Sequence, residues 1–339
     1  DEIQSLEKDD RGALLEYVLH EIRLVAPKAR LFAAGPFISN GRELGRCLFA
    51  ENCPSIDTED SPVSQMVLQV TPVKGSKVLQ TTIVDSLAAE NDFTFEIDVD
   101  RAMHSRWQGS QTKAVNDAVR IFATDSPSLV YAKGQGTAQN WARAYIEEIE
   151  TPSILSEEAK DLILYLRDSI HPQCSLIDSL KKRVAYHHGG LPDFVREEIE
   201  ALFSQKEIDV LFCTSTLLEG VNLPADKIFV VSPAKAREAL TPFEFKNLTG
   251  RAGRLDEHLC GMVYCVHVPN DDNCNPFDAF RGDTQKEVKP TIDERLASSF
   301  EQIHDLLLEG KPLLPEQHST LRSTATILRS RFLRSRQHA

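Results

Sequence analysis

Apolar positions follow a helical period at both ends of the chain, while strand and helix periods alternate through its middle. In residues 11–25, "RGALLEYVLHEIRLV", Leu14, Leu15, Val18, Leu19, Ile22 and Val25 recur at helical spacing until Pro27 stops the pattern. A helix is predicted there, and "ARLFAAG" after it reads as a short buried strand. Residues 66–85 contain two β-rich runs, "QMVLQVTPV" and "KVLQTTIVD", parted by "KGS", which predicts a hairpin. "DFTFEIDVD" alternates polar and apolar positions and predicts one more strand.

From about residue 112 strands and helices take turns. "AVNDAVRIFA", "AQNWARAYIEEIE", "EEAKDLILYLRDSI" and "LPDFVREEIEALFSQ" predict helices. "SLVYAKG", "RVAYHHGG", "IDVLFCTS" and "KIFVVSP" predict strands between them. Such repeats imply an α/β fold, a parallel sheet with helices on both faces. Ligands of these sheets bind beyond the carboxyl ends of the strands, so the residues after "LVY", "VAY", "LFC" and "FVV" form the candidate site. The tail returns to helix: "PTIDERLASSFEQIHDLLLEG" carries a capping-box pattern from Thr291 to Glu294 and a stop at Gly310. Beyond Glu316, Leu321, Ala325, Leu328 and Phe332 mark one helix face, and Arg322, Arg329 and Arg336 recur on another, beside Arg331 and Arg334. That helix packs on a neighbour through its apolar face, or its basic face adds phosphate contacts or docks on a further domain of the parent protein.

Length and composition narrow the picture. The 339 residues suggest about two domains, and 41% hydrophobic with 26% charged residues is ordinary for a globular protein. No apolar run is long enough for a membrane span, so no membrane contact is expected. The acidic start "DEIQSLEKDD" has no signal-peptide pattern. Seven scattered cysteines without a CxxC point to free thiols in a reducing compartment, and a cytoplasmic location is expected. Cys260, Cys265 and Cys274, near His258 and His267, fit no zinc spacing, and "GMVYCVHV" reads as a buried strand. A net charge of −13 excludes a protein that coats nucleic acid with a basic surface, but not one that grips it by a few local contacts.

Two stretches carry chemistry. In "VLFCTSTLLEGVNLPADKIFV" a buried strand ends in Thr214, Ser215 and Thr216, small hydroxyls that can hold phosphate without reading bases. Gly220 permits close backbone approach, and Asn222 can bond a nucleotide or a neighbouring loop. In "NLTGRAGR" two glycines each precede an arginine, pairing close approach with planar forks suited to phosphate oxygens. Alone, each stretch is an ordinary turn. His187 and His188 belong to a His-Gly-Gly turn that touches phosphate or packs under a neighbour. Trp107 and Trp141 could stack bases, although the helix pattern around Trp141 places it in the core.

Taken together, these stretches resemble the second motor domain of superfamily 2 helicases, nearest to the Ski2-like DExH branch. "SLVYAKG" resembles motif IV, "YHHGGLP" motif IVa, "TSTLLEGVNLP" motif V and "NLTGRAGR" motif VI, with Asn247 where the family usually has Gln. "DEIQ" resembles motif II, with Gln4 in place of the usual His, and the family's "RG…E" follows as Arg11, Gly12 and Glu16. Where motif III has Ser-Ala-Thr, this chain has Ala34, Gly35 and Pro36. No G-x-x-x-x-G-K-[ST] loop occurs.

The resemblance implies a RecA-like fold and an ATP-dependent helicase or translocase, of which these residues form the part from motif II onward. It implies that Asp1 holds Mg²⁺ through water and Glu2 acts on the attacking water. Arg251 and Arg254 would be catalytic, with Gln4, Gly220, Asn222, Asn247 and Gly250 near ATP. Lys133, Gly134, His188, Gly189, Gly190, Thr214, Ser215 and Thr216 would meet single-stranded DNA or RNA. The expected layout is residues 1–100 as the end of a first RecA-like domain with a β-rich connection, 101–275 as the second motor domain, and 276–339 as a helical extension. The expected partner is the N-terminal RecA-like domain, and without its phosphate loop the chain by itself is expected to turn over no ATP. The alternative is a catalytically inactive helicase-like binding or scaffold module.

Overall fold

The computed structural model describes all residues except 1–2, 8, 37, 50–51, 59–63, 85–92, 124–125, 151–153, 216–222, 224, 236–237, 254–259, 270–275, 277–286, 310–317 and 338–339. The chain divides into two compact units, residues 60–283 and residues 1–59 with 284–339.

The larger unit is built on one sheet. Its strands are β1 (Ser64–Pro72), β2 (Val78–Val84), β3 (Phe93–Asp98), β4 (Ser128–Tyr131), β5 (Val184–His187), β6 (Val210–Cys213), β7 (Lys227–Val230) and β10 (Cys260–Val266), with a small ribbon of β8 (Ala234–Lys235) and β9 (Glu238–Ala239) apart from it. The order across the sheet is β3-β2-β1-β10-β7-β4-β6-β5, and β1, β10, β7, β4, β6 and β5 run parallel. Strands β4 to β7 are buried at every position, which is why they read as continuous apolar runs without alternation.

Helices α3 (Arg101–Gly109), α4 (Gln111–Phe122), α5 (Gln135–Ile146), α6 (Glu157–Tyr165), α7 (Ser175–Leu180), α8 (Asp193–Ser204) and α9 (Pro242–Thr249) cover that sheet. Local chemistry sets several starts. Ser156 accepts from the Ala159 N–H at α6, and Thr241 with Glu244 forms a full capping box behind Pro242 at α9. Trp107 and Trp141 are both buried, at 0% and 2% exposure, so neither offers a face for a base. This is the parallel α/β arrangement that the strand and helix pattern implied, and it agrees with the RecA-like fold that the resemblance implied.

The hairpin is where it was predicted, with Gly75 at φ +82 in its turn, but its sheet is not. β1 pairs in parallel with β10 from Ser64↔Cys260 to Val70↔Val266. That ladder commits residues 64–98 to the larger unit and not to the N-terminal one. Pairing register is a long-range property that a local pattern does not carry.

The smaller unit is helical. It holds a 3-10 turn (Ile3–Glu7), α1 (Asp9–Val25), α2 (Gly41–Leu48), α10 (Thr291–His304) and α11 (His318–Gln337). Two apolar clusters join its two stretches of chain, one of Ile3, Leu6, Leu44, Leu48 and Val288 and one of Ala13, Ile292 and Ile327, while Ile303, Leu321 and Ala325 pack the end of α10 against α11. The helical extension therefore packs on the chain start and is not a separate body. The stretch "ARLFAAG" forms no strand, and Phe32 is 89% exposed. A strand needs a partner ladder, and among the described residues this unit has no strand. Nor does Thr291 cap α10. Pro290 holds the cap position, and the Thr291 hydroxyl donates to the Leu6 carbonyl instead. The predicted stop at Gly310 lies outside the described residues.

Candidate functional site

The strand ends of the parallel sheet bring three of the predicted loops together. The Ala132 N–H donates to the Cys213 carbonyl (2.7 Å), and the Thr214 N–H to the His187 carbonyl (3.2 Å). These bonds stitch together the residues leaving β4, β5 and β6. Lys133 is half-buried, and Gly134 is the N-cap of α5 without any side-chain cap. A Cβ at Gly134 or Gly136 would meet open space, and the first N–H groups of α5 stand at the positive end of the helix.

The His-Gly-Gly turn divides its labour. His188 is 3% exposed, so its ring is a brace inside the fold and not a surface contact. Its Nδ1 accepts from the Gly190 N–H (3.1 Å), and its Nε2 lies 2.9 Å from the Gln139 side-chain amide on α5. The ring stacks on Tyr186 at 5.6 Å and 2°. Burial pushes its pKa down, and the neighbouring His187 charge adds to that. Gly189 and Gly190 are exposed and form the reachable part of the turn. A Cβ on Gly190 would come within 2.8 Å of Gln135 Oε1, so the turn lies close against the start of α5. His187 is fully buried, 2.8 Å from Glu200. Thr214 is also buried, at 6%, while Ser215 is half-buried. Thr216, Gly220 and Asn222 lie outside the described residues.

Arg251 belongs to a different part of the sheet. Ala252 forms a parallel bridge with Ala225, two residues before β7. The Ala225 N–H donates to the Arg251 carbonyl (3.0 Å), and the Gly253 N–H to the Ala225 carbonyl (2.8 Å). The backbone thus sits where strands begin and not where they end. Gly253 is at φ +95, a conformation that glycine adopts without strain, whereas Gly250 is at φ −59 and has no such need. The clamp from the other side is Gly261 at the start of β10, where a Cβ would overlap the Ala252 backbone. The Arg251 charge is nonetheless felt at Cys213, whose thiol burial pushes up to about 12 while the guanidinium pulls the other way. Asn247 is half-buried on α9 and Gly250 is exposed. Arg254 is outside the described residues.

In the smaller unit Gln4 is buried at 6%. A Cβ on Gly35 would meet Gln4 Oε1 at 2.6 Å, Ile38 at 2.8 Å and Ile3 at 2.9 Å, and the Ile3 N–H donates to the Ala34 carbonyl (3.1 Å). The "DEIQ" and "AAGP" segments are therefore neighbours, and Gly35 makes room for Gln4. Asp1 and Glu2 lie outside the described residues. No group of three His, Cys, Asp or Glu side chains suited to a metal occurs among the described residues. No described helix is long and apolar enough to cross a membrane.

Sequence reading did not find Gln139, Gln135 and Gly261, which shape the turn and the Arg251 clamp. Gly261 had a signal, since a glycine inside a strand pattern marks a close backbone approach.

Comparison with known proteins agrees with this architecture. Residues 146–256 match the family model "Helicase conserved C-terminal domain". The chain is 28% identical over 295 residues to the human Helicase POLQ-like protein, covering 80% of this chain and 24% of that one. It is 24% identical over 300 residues to the ATP-dependent DNA helicase Hel308 of Thermoplasma volcanium, covering 84% of this chain and 39% of that one. It is 35% identical over 133 residues to the Antiviral helicase SKI2 of Saccharomyces cerevisiae, covering 38% of this chain and 10% of that one. The chain therefore spans well under half the length of each relative.

Proposed function

We propose that this chain, which carries the conserved C-terminal domain of a Ski2-like superfamily 2 helicase, serves as the second motor domain of an ATP-dependent helicase or translocase. The observation that carries the reading is the stitched strand-exit edge. Uncapped N–H groups at Gly134–Gly136, the exposed Gly189–Gly190 backbone and Ser215 stand at that edge, and none of these described residues is acidic. Such a set suits the phosphates of single-stranded DNA or RNA, because backbone and hydroxyl donors hold phosphate without reading sequence. His188 and Thr214 contribute by holding the loops in place.

Arg251 and Arg254 are assigned to the γ-phosphate of ATP bound by an N-terminal RecA-like domain, with Asn247 and Gly250 beside them. The described residues fit that ligand: a guanidinium on a backbone clamped from two sides, an amide side chain, and an exposed glycine. Asp1 and Glu2 would hold Mg²⁺ and the attacking water. When bound, ATP supplies the free energy of hydrolysis. What this chain adds is a charge placed without reorganisation where negative charge develops. The apolar side chains of Val25, Phe32 and Leu14, exposed at 80%, 89% and 58%, are the kind of surface that an N-terminal domain would cover. The second reading, an inactive binding or scaffold module, draws on the Ala34-Gly35-Pro36 sequence, which lacks the motif III hydroxyls.

The test is nucleic-acid-stimulated ATP turnover by the full-length gene product and its Arg251→Ala variant. We expect kcat to fall by about 10³ or more with KM little changed, since the contact is made mainly in the transition state. Turnover absent from the unaltered protein would favour the scaffold reading, and a change confined to KM would remove Arg251 from catalysis.

A further inference from the structure

The Arg11-Gly12…Glu16 motif and Asn40 play no part in the chemistry described so far, yet one short stretch of chain meets Gly12, Glu16 and Asn40. Residues 287–292 run along the smaller unit just before α10. Asn40 pairs with both backbone groups of Val288: its Nδ2 donates to the carbonyl (2.9 Å) and its Oδ1 accepts from the N–H (2.9 Å). The Lys289 N–H donates to Glu7 Oε1 (3.0 Å). The Thr291 hydroxyl donates to the Leu6 carbonyl, and the Ile292 N–H donates to Glu16 Oε2 (3.0 Å). Val288 is buried at 1% among Ile3, Leu6, Leu44 and Leu48.

Two details make this a built receptor and not incidental packing. Gly12 has no room for a Cβ, which would overlap both the Leu6 carbonyl and the Thr291 hydroxyl. Glu16 is buried at 6% and caps the first turn of α10 from another helix, although burial pushes its pKa up. A buried carboxylate is costly unless it is bonded, and here the bond is to an otherwise orphaned helix N–H.

The receptor also touches the segments that matter most. Leu6 and Glu7 lie in the 3-10 turn that carries Gln4, and Asn40 follows Ala34-Gly35-Pro36 in the stretch that packs on Gln4. The Ser-Ala-Thr hydroxyls that would form a polar link there are absent. Asn40 supplies a polar link of its own, and its partner is residue 288.

We propose that residues 287–292 are a relay that ties the position of the Gln4 segment to helices α10 and α11, with Gly12, Glu16, Asn40 and Thr291 as positioning residues. The relay rests on reading residues 1–4 as the acidic segment of the nucleotide site. A shift at Gln4 reaches α10 through Leu6–Thr291 on one side and through Gly35, Asn40 and Val288 on the other.

The experiment compares Thr291→Val, Thr291→Ser and Asn40→Ala in the full-length protein by amide hydrogen exchange and by motor assays. Asn40 makes no side-chain bond to residues 3–7 in this network, so their response reports the relay and not a lost contact. We expect exchange across residues 3–7 to rise about tenfold in Thr291→Val and in Asn40→Ala, the scale of one net hydrogen bond, and Thr291→Ser to match the unaltered protein. Strand separation per ATP hydrolysed should fall about tenfold in the same two variants, while stimulated kcat stays within about threefold. The relay is overturned if Asn40→Ala raises exchange only around residues 38–42 and 288, or if Thr291→Ser behaves as Thr291→Val. If the unaltered protein hydrolyses no ATP the motor reading fails, and the exchange comparison still decides the relay.

Discussion

Glycines and histidines do most of their work here by fixing backbone. The Gly261 site has the Ala252 backbone where a Cβ would stand, so Gly261→Ala must push the Arg251 segment off its bridge with Ala225. We expect a loss of about 2 kcal/mol, in the range of overpacked core sites, measurable by urea unfolding. His187 and His188 supply a pH signature. Burial holds both pKa values below the usual 6.5, so the folded state resists a proton that the unfolded chain accepts. Stability should therefore be constant above about pH 7 and fall as pH drops through about 6.5, by up to about 1.4 kcal/mol per unit for each histidine. His188→Gln should flatten part of that slope in denaturant midpoints taken from pH 8 to pH 5. An unchanged slope would mean that His188 accepts its proton without loss of the turn.

Helix α11 separates a packing role from an electrostatic one. Leu321 and Ala325 are buried against Ile303, and Ile327 packs with Ala13, whereas Phe332 is 57% exposed. Arg322 and Arg329 are exposed. Leu321→Ala should destabilise the smaller unit by about 2–4 kcal/mol, because the cavity adds to the lost transfer energy. Arg322→Gln with Arg329→Gln should leave the slope of log K against log salt for single-stranded nucleic acid unchanged. If each arginine met a phosphate, the double variant would flatten that slope by about 1.4, from about 0.7 for each contact on a single strand. That result would make α11 part of the binding surface.

The whole molecule consists of two bodies with different contents. Both tryptophans, Trp107 and Trp141, are buried in the unit of residues 60–283. Tryptophan fluorescence therefore follows that unit alone, whereas helical circular dichroism follows both. Gly12→Ala should lower the first loss of helix signal and leave the fluorescence transition in place. A single shared transition that moved as one would show that the units unfold together. The smaller unit displays apolar side chains at its surface, among them Val25 at 80% and Phe32 at 89% exposure.

Local sequence determined more of the strand–helix alternation than of its assembly. The runs "SLVY", "VAYH", "VLFC" and "KIFV" are apolar at nearly every position because both faces are covered, and that could be read one residue at a time. The motifs likewise named loops that leave β4, β5 and β6 side by side, because glycines and small hydroxyls at strand ends stand out in the sequence. Tertiary structure alone decided pairing and depth. β1 joined β10 across some 190 residues of chain, a register that no local period encodes. "ARLFAAG" had the composition of a strand but no ladder to join. Thr291 had the pattern of a cap but gave its hydroxyl to Leu6. His188 had the place of a ligand contact but was drawn inside by Gln139 and the Gly190 N–H. Where a partner was found far along the chain, as β10 for β1, Leu6 for Thr291 and Gln139 for His188, only the folded molecule brings it within reach.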